Sequence, residues 1–180
     1  MDDSLASRLR QARQERGLTL SELARRSRIG KGTVSELENG LRGARLDTLF
    51  ALSTALRIPL GALIPANEGE SPVSVSGASV TAIPLGTWRT GSITVEAYRA
   101  TVTTQEQHSD AHQAGVEETI TVISGRVRVG VSGNERELGI GESIRYPGDE
   151  SHSFVSISGD AEIVLLMHYP EPVETERHEQ

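Results

Sequence analysis

The chain has 180 residues, a formal net charge of -7 and no cysteine, and only 3% of its residues are aromatic. The lack of cysteine excludes disulfides and thiolate metal sites within this sequence. No apolar run is long enough to cross a bilayer, and the N-terminus is acidic and then amphipathic rather than signal-like, so we expect a cytoplasmic protein with no membrane partner.

Charge is distributed unevenly along the chain. Residues 1–65 contain 11 Lys and Arg against 7 Asp and Glu, a net charge of +4, whereas residues 66–180 contain 7 against 18, a net charge of -11. A basic segment beside an acidic one indicates that only the first meets nucleic acid. The alternative is chance variation in solvated surface charge.

Residues 1–65 are predicted to form a domain of five short helices. Apolar residues recur at helical spacing, with Ser4 and Thr19 as N-caps and Gly17 as a left-handed C-cap. The predicted helices span Ser4–Arg16, Thr19–Ser27, Gly30–Asn39, Leu46–Arg57 and Leu60–Leu63. The break between the second and third helices is very short, which is helix-turn-helix spacing.

This domain resembles the xenobiotic-response-element (XRE) family of helix-turn-helix regulators, which includes phage repressors. The resemblance rests on LRQARQERGLTLSELARRSRIGKGTVSELENG and, further on, LDTLFALSTALRIPLGALI. It covers the whole first domain and implies a lambda-repressor-like fold that binds double-stranded DNA. Leu20 departs from the family, in which that position is often a polar phosphate contact.

The third helix is expected to read DNA, because the major groove accepts one helix and the N-terminal part of that helix meets the base edges. Lys31 can donate to guanine, Thr33 can touch a thymine methyl group, and Glu36 can accept from a cytosine amino group. Asn39 and Arg42 are candidates for phosphate contact. The complete set of DNA-binding candidates is Lys31, Gly32, Thr33, Ser35, Glu36, Asn39 and Arg42.

Two further expectations come with the first domain. Arg13 and Glu38 resemble a partly buried ion pair of the family, so we assign them a structural role rather than DNA contact. One such domain makes few base contacts, so we predict a homodimer on a pseudo-palindromic operator with half-sites about one helical turn apart.

The rest of the chain is predicted to be a linker, a β domain and a tail. Residues 66–78 are rich in Gly, Ser and Pro and predict an exposed linker. From 79 to 170, apolar and polar residues alternate between turn residues, which predicts a sandwich or barrel. The predicted strands are Ser92–Tyr98, Thr119–Ile123, Arg126–Val131, Ser143–Tyr146, Ser153–Ile157 and Glu162–Met167. Residues 171–180 are strongly charged and are predicted to be disordered.

The second domain resembles the cupin family, a double-stranded β-helix barrel (RmlC-like jelly roll) with a pocket in its mouth. The residues that match the two cupin motifs are His112, Glu118, Gly125, Gly141, Pro147 and His152. His108 and His112 stand further apart than the paired histidines of the first motif usually do. Asp149 stands where the second motif usually has glycine.

The resemblance implies a ligand pocket or metal site made by His108, His112, Glu118 and His152. Two imidazoles and a carboxylate suit divalent Fe, Mn, Ni or Zn and leave positions open for a ligand. The alternative is that these groups line an organic-ligand pocket, or hydrogen-bond across strands, without metal. Glu117 competes with Glu118 for the inward position, and alternation does not decide between them without the strand register.

Together the two resemblances predict a sequence-specific transcriptional regulator, not an enzyme. Its operator binding is expected to respond to a small molecule or metal in the second domain. One alternative is a metal-dependent dioxygenase or isomerase that carries a DNA-binding domain, and another is a protein–protein adaptor that uses the helices without DNA. The sequence names neither the effector nor the operator.

Overall fold

The computed structural model describes residues 4–64 and 74–171. The first range contains four α-helices: α1 (Leu5–Glu15), α2 (Leu20–Ser27), α3 (Lys31–Glu38) and α4 (Leu46–Leu56). A 3₁₀ turn, Leu60–Ala62, stands where a fifth helix was predicted, so that prediction is wrong. The segment after Pro59 is too short to nucleate α-helical bonding, and i to i+3 hydrogen bonds close it instead.

The helix termini follow from local side-chain chemistry. The Ser4 hydroxyl accepts a hydrogen bond from the N–H of Ser7 at 3.3 Å, and the Thr19 hydroxyl accepts one from Glu22 at 3.1 Å. The C-cap of α2 is Arg28, whose backbone is left-handed (φ 57°) although the residue is not glycine. This sharp turn leads directly into α3.

The second range forms ten strands in two antiparallel sheets. The strands are β1 (Val75–Ser76), β2 (Val80–Thr90), β3 (Ile93–Val102), β4 (Gln107–Ser109), β5 (Glu117–Ser124), β6 (Val127–Val131), β7 (Arg136–Leu138), β8 (Ser143–Pro147), β9 (His152–Ser156) and β10 (Ala161–Pro170). The larger sheet has the order β1-β2-β3-β10-β5-β8, and the smaller has the order β4-β9-β6-β7. β10 pairs with both β3 and β5 and alternates strictly between buried and half-buried residues up to Tyr169.

Four strands, β1, β2, β4 and β7, were not predicted from the sequence, and β2 illustrates the reason. Pro84 and Gly86 interrupt its alternation, and both residue types are unfavourable inside strands. The register between β2 and β3 shifts between these two residues, which forms a bulge that accommodates the proline. β1 lies within the range predicted as a linker. Residues 66–73 of that linker and residues 172–180 of the predicted tail lie outside the described residues.

The buried apolar side chains of the helices and the sheets form one continuous cluster. Hydrogen bonds reinforce this contact at both ends of α4. In the first turn of α4, the carboxylate of Asp47 accepts a hydrogen bond from Nε2 of Gln107 at 2.9 Å. After its end, the N–H of Gly61 donates to Oε1 of Glu96 at 2.8 Å, and the N–H of Leu60 donates to the hydroxyl of Tyr169 at 3.3 Å. α4 is therefore part of the helical domain and is also attached to the β domain.

Candidate functional site

The outer surface of α3 is the first candidate site. Val34 and Leu37 are buried, which turns the opposite side of the helix toward solvent. The exposed or half-buried residues of that side are Lys31, Gly32, Thr33, Ser35 and Glu36. The structure thus leaves all five predicted α3 contacts accessible, with a cation at the N-terminal turn and a carboxylate one turn further on.

The two predicted phosphate contacts already have partners on the protein. Oδ1 of Asn39 accepts from Nη2 of Arg10 at 2.9 Å, and Nδ2 of Asn39 donates to the carbonyl of Ser35 at 2.8 Å. Nη1 of Arg42 lies 3.6 Å from Oε2 of Glu36. All these side chains are at the surface, where such pairs are weak and a phosphate can replace a partner. Arg10 is a further candidate that the sequence did not single out.

Arg13 and Glu38 lie beneath this surface as a bidentate ion pair. Nε of Arg13 lies 2.6 Å from Oε1 of Glu38, and Nη2 lies 2.9 Å from Oε2. Nη1 of Arg13 also donates to the carbonyl of Leu18 at 2.8 Å. Glu38 is only 5% exposed, and its hydrogen bond raises the pKa of Arg13 against the opposing effect of burial. The pair joins α1 to α3 and leaves neither charged group on the outer surface of α3.

The second candidate site is a cavity that contains His112, Glu118 and His152. His112 lies in the loop before β5, Glu118 in β5 and His152 at the start of β9. Nε2 of His112 is 2.9 Å, and Nε2 of His152 is 3.4 Å, from Oε1 of Glu118. One ligand atom of each residue lies within 4.8 Å of the others, and the residues are 8%, 1% and 1% exposed.

Neighbouring groups orient this cluster. Nδ1 of His152 lies 2.8 Å from the carbonyl of Glu150, a contact that directs Nε2 into the cavity. The Tyr146 hydroxyl donates to Oε2 of Glu118 at 2.7 Å. A Cβ at Gly148 would come within 3.2 Å of Cγ of Glu118, so glycine permits the close approach of this loop. Asp149, the departure from the cupin motif, accepts from the N–H of Gly115 at 2.7 Å and so fixes the loop before β5.

The ionisation states of the cluster are coupled. Burial alone raises the pKa of Glu118, but the hydrogen bond with His112 and the nearby imidazole of His152 outweigh burial and hold this pKa well below its usual range. Burial alone lowers the pKa of His152, but the carboxylate of Glu118, 3.4 Å from its Nε2, outweighs burial and raises this pKa. The cavity therefore contains an ionised carboxylate facing imidazole nitrogens.

The three residues fit a divalent metal ion. Two imidazole nitrogens and one carboxylate oxygen form the donor set of many such sites. Nε2 of His152 is buried and makes no hydrogen bond to any described residue, so it is available as a ligand. An ion held by His112, Glu118 and His152 would supply open coordination positions for an oxygen or nitrogen atom of a small molecule.

Strand register decides two assignments that the sequence left open. In β5, Glu118 is buried, and Glu117 pairs with Arg145 at the surface. In β4, Gln107 is buried, so alternation turns the side chain of His108 outward, where it is 72% exposed and 3.4 Å from Glu106. The structure does not bring His108 to the cluster, and the predicted set of four residues becomes a set of three.

The structure adds Phe50 of α4, whose ring stacks on the ring of His112 with centroids 4.7 Å apart and planes at 30°. Phe154 and Tyr146 also lie beside His152, with ring centroids 5.3 Å and 5.5 Å away. The sequence pattern did not single out Phe50. The only signal in the sequence was that Phe50 lies outside the row of apolar residues with which α4 packs on the helical core. A large apolar side chain in that position indicates that α4 packs against something else as well.

Comparisons with known proteins agree with both halves of this description. The model of the helix-turn-helix family matches residues 9–63, and the model of the cupin domain family matches residues 98–169. The chain is therefore a DNA-binding protein with a cupin domain behind its helix-turn-helix domain.

Similar proteins extend this result over almost the whole chain. The HTH-type transcriptional regulator SutR of Escherichia coli (strain K12) is 26% identical over 171 residues, which cover 92% of this chain and 95% of that protein. The transcriptional regulator ClgR of Mycobacterium tuberculosis is 41% identical over 61 residues, 33% of this chain and 54% of that protein. A crystal structure of an HTH_3 family transcriptional regulator from Vibrio cholerae has a TM-score of 0.81 and 25% identity, covering 94% of this chain and 97% of that one. The chain is a helix-turn-helix transcriptional regulator that carries a C-terminal cupin domain.

Within residues 4–64 and 74–171, each helix is too short or too polar to traverse a lipid bilayer.

Proposed function

We propose that this regulator binds its operator through α3 and that a small molecule or metal ion at the His112–Glu118–His152 cluster changes its affinity for DNA. The observation that carries this proposal is the position of α4. Its leucines are buried in the helical domain, while Phe50 of the same helix stacks on His112. A ligand alters DNA binding only if it binds the DNA-competent and incompetent arrangements with different affinity, and α4 provides a physical connection between the two sites.

Within the DNA interface we assign base reading to Lys31, Thr33 and Glu36. The guanidinium groups of Arg10 and Arg42 and the amide of Asn39 are assigned to phosphates. Gly32 has no side chain, so its base step would be read by shape, and the Ser35 hydroxyl can donate to or accept from a base edge. The relatives that span this chain are named as regulators, which supports sensing rather than catalysis as the role of the cupin domain.

We further infer a homodimer that forms through the open edge of β2. β1 pairs only with Thr81 and Ala82, so within the described residues the outer edge of β2 has no partner strand from Ile83 to Thr90. Leu85 and Trp88 are exposed on this stretch. An unpaired edge with apolar side chains favours pairing with a second copy, which would set the spacing of the two α3 helices. The two facing sheets support the closed jelly-roll barrel, and action on a chromosome supports a cytoplasmic location.

Selection of bound duplexes from a random DNA pool tests the DNA-binding proposal. We expect an enriched pseudo-palindrome with half-sites about one helical turn apart. Wild-type protein should shift this duplex in a gel, and Lys31→Ala/Thr33→Ala should not. Enrichment of no motif, or equal binding of a scrambled duplex, would overturn operator recognition. Sedimentation of the free protein as a monomer at micromolar concentration would overturn the dimer.

Titration with Ni²⁺ and Zn²⁺ tests the sensing proposal. Affinity for the selected duplex is measured with and without each ion and after chelation, together with a set of small molecules that contain an oxygen or nitrogen ligand atom. A tenfold change in affinity corresponds to about 1.4 kcal/mol of coupling. Unchanged affinity for the duplex under all these conditions would contradict regulation through the cluster.

A further inference from the structure

The cavity around the His112–Glu118–His152 cluster is shared by the two domains. Most of its wall is apolar and comes from the sheets, and the helical domain closes the rest with Leu46, Asp47, Phe50 and Leu60. The space inside is about 30 Å³, which is room for about two water molecules. Pockets that hold organic molecules usually measure about 300–1,000 Å³. With α4 in this position, the cavity accommodates an ion and a water molecule but no organic effector.

A larger cleft of about 550 Å³ lies outside this cavity, lined by residues of α2, α4, β4 and the loop before β5. Four residues, Asp47, Phe50, Ser109 and His112, line both spaces. The stacked rings of Phe50 and His112 therefore form part of the wall between the cleft and the cavity. A molecule that enters from the cleft meets this pair of rings first.

The two attachments of α4 to the β domain differ in their number of hydrogen bonds. After the end of α4, the N–H groups of Leu60 and Gly61 bond to the buried Tyr169 and Glu96. Near Phe50, the only side-chain hydrogen bond between described residues of α4 and the β domain joins the exposed Asp47 to the buried Gln107. Two hydrogen bonds thus hold the segment after α4, whereas one holds α4 near Phe50, and water reaches that one through Asp47. The Phe50 end of α4 can therefore lift while the 3₁₀ turn stays in place.

Displacement of Phe50 also moves the DNA-binding surface. Leu49 and Leu52 of α4 are buried in the same core as Leu23 of α2, and α2 packs against α3. Close-packed helices transmit displacement because their cores do not deform continuously. A lifted α4 therefore carries α2 and α3 with it relative to the β domain.

We propose that the effector site is composite and that Phe50 is its gate, an inference that rests on the proposed function above. The effector replaces the phenyl ring on the face of His112 and extends to the cluster. The face of the His112 imidazole, once the phenyl ring has left it, can stack on a flat group of the effector. The apolar cavity wall can contact the apolar part of the effector, and the cluster can bind one polar group. The effector class is therefore a small, flat, mostly apolar molecule with a single oxygen or nitrogen ligand atom. Its binding lifts α4 and changes the position of α3.

Carbethoxylation of histidines by diethyl pyrocarbonate, mapped by peptide mass spectrometry at one pH, tests the gate. In wild type we expect His112 and His152 to react at least about tenfold more slowly than the exposed His108, because reaction requires local opening. Phe50→Ala should accelerate the reaction of His112 at least about fivefold, and Phe50→Leu, which retains apolar bulk, should accelerate it less. Thr54→Ala is the matched control, since Thr54 lies on the same helix and lines the outer cleft but not the cavity. Equal rates at His112 in wild type and Phe50→Ala, with His108 unchanged, would overturn the gate.

A chemical bridge tests whether α4 must move. The chain has no cysteine, so Asp47→Cys/Gln107→Cys provides the only two thiols, and a short bifunctional thiol reagent can join them. The bridged protein should protect His112 and His152 better than the same variant before bridging. Equal labelling of the two forms would show that entry does not require lifting of α4 and would overturn this step.

The coupling to DNA follows from reciprocity, because a gate that alters DNA affinity must itself be altered by DNA. Saturating amounts of the selected duplex should change the reaction rate of His112 at least about threefold in wild type and leave the rate in the bridged variant unchanged. An unchanged rate in wild type would overturn the coupling through Phe50. Failure to select any duplex would instead contradict operator binding, while the labelling comparison without DNA would still decide whether Phe50 is a gate.

Discussion

Replacement of Arg13 by methionine tests whether its ion pair with Glu38 is structural. The change removes two bonds to the Glu38 carboxylate and one to the carbonyl of Leu18, and it keeps most of the apolar volume of the side chain. Glu38 is then left 5% exposed with Nε of Arg10, 3.8 Å away, as its remaining cation. Arg10 is a poorer partner because it is nearly half exposed.

The magnitude follows from the burial of Glu38. Breaking a buried ion pair by removing one partner costs about 3–5 kcal/mol, because an uncompensated charge remains. Arg10 partly compensates the charge of Glu38, and Arg13 is not fully buried but 13% exposed. Both facts reduce the expected loss of stability, which we place near the lower end of this range, at about 3 kcal/mol. With a urea dependence of about 2 kcal/mol per molar, the unfolding midpoint should fall by about 1.5 M. Glu38→Leu in the Arg13→Met background should recover most of this loss, because the stranded charge is then gone.

Urea titrations followed by two probes provide the assay. Circular dichroism at 222 nm is dominated by the four helices, and the fluorescence of Trp88, the sole tryptophan, reports on β2. The double variant gives the coupling energy of the pair. A loss below about 1 kcal/mol for Arg13→Met, within the range of ordinary surface pairs, would refute the structural role. So would a double variant that loses as much stability as the sum of the two single variants.

Three further predictions concern DNA, pH and metal. Lys31→Ala should weaken binding to the selected duplex by about 1–3 kcal/mol and relax selectivity at one base pair, measured by competition with single-base variants, whereas Arg99→Ala on the β domain should have no effect. Burial raises the pKa of Glu96 from its ordinary value, so the folded state binds this proton more tightly, and stability falls as pH rises through the folded-state pKa. Glu96→Gln should therefore melt higher than wild type near pH 8, with the gap closing toward pH 4, and a gap that does not change with pH would contradict this reasoning. His152→Ala should weaken Ni²⁺ or Zn²⁺ binding by at least about tenfold in calorimetry, and His108→Ala should leave it unchanged. Equal loss in both variants would contradict the three-residue cluster.

The helices show which features local chemistry decides. The cap hydroxyls of Ser4 and Thr19 and the left-handed Gly17 act within a few residues of their own positions, so the sequence predicted these boundaries. The fifth helix failed because helix formation also depends on length, and the segment Leu60–Ala62 closes as a 3₁₀ turn whose N–H groups bond to the β domain.

The cluster shows where local patterns reach their limit. Motif spacing singled out His112, Glu118 and His152, which the structure brings together. The same spacing also included His108 and left Glu117 in competition with Glu118. These two questions depend on strand register, because a shift of one residue exchanges the two faces of a strand. The register of β5 against β8 and of β4 against β9 answers both.

The sequence by itself determined the two-domain order, the helix-turn-helix segment and the candidates among which the three residues of the cluster are found, because periodicity, caps and motif spacing are local properties. Only the tertiary structure decided that α4 covers the cavity and that Phe50 stacks on His112. The leucines of α4 are buried by packing within the helical domain, so they do not require a contact with the β domain. Nothing near Phe50 in the sequence specifies its partner, because that contact joins residues far apart in the chain and exists only when the two domains share one core.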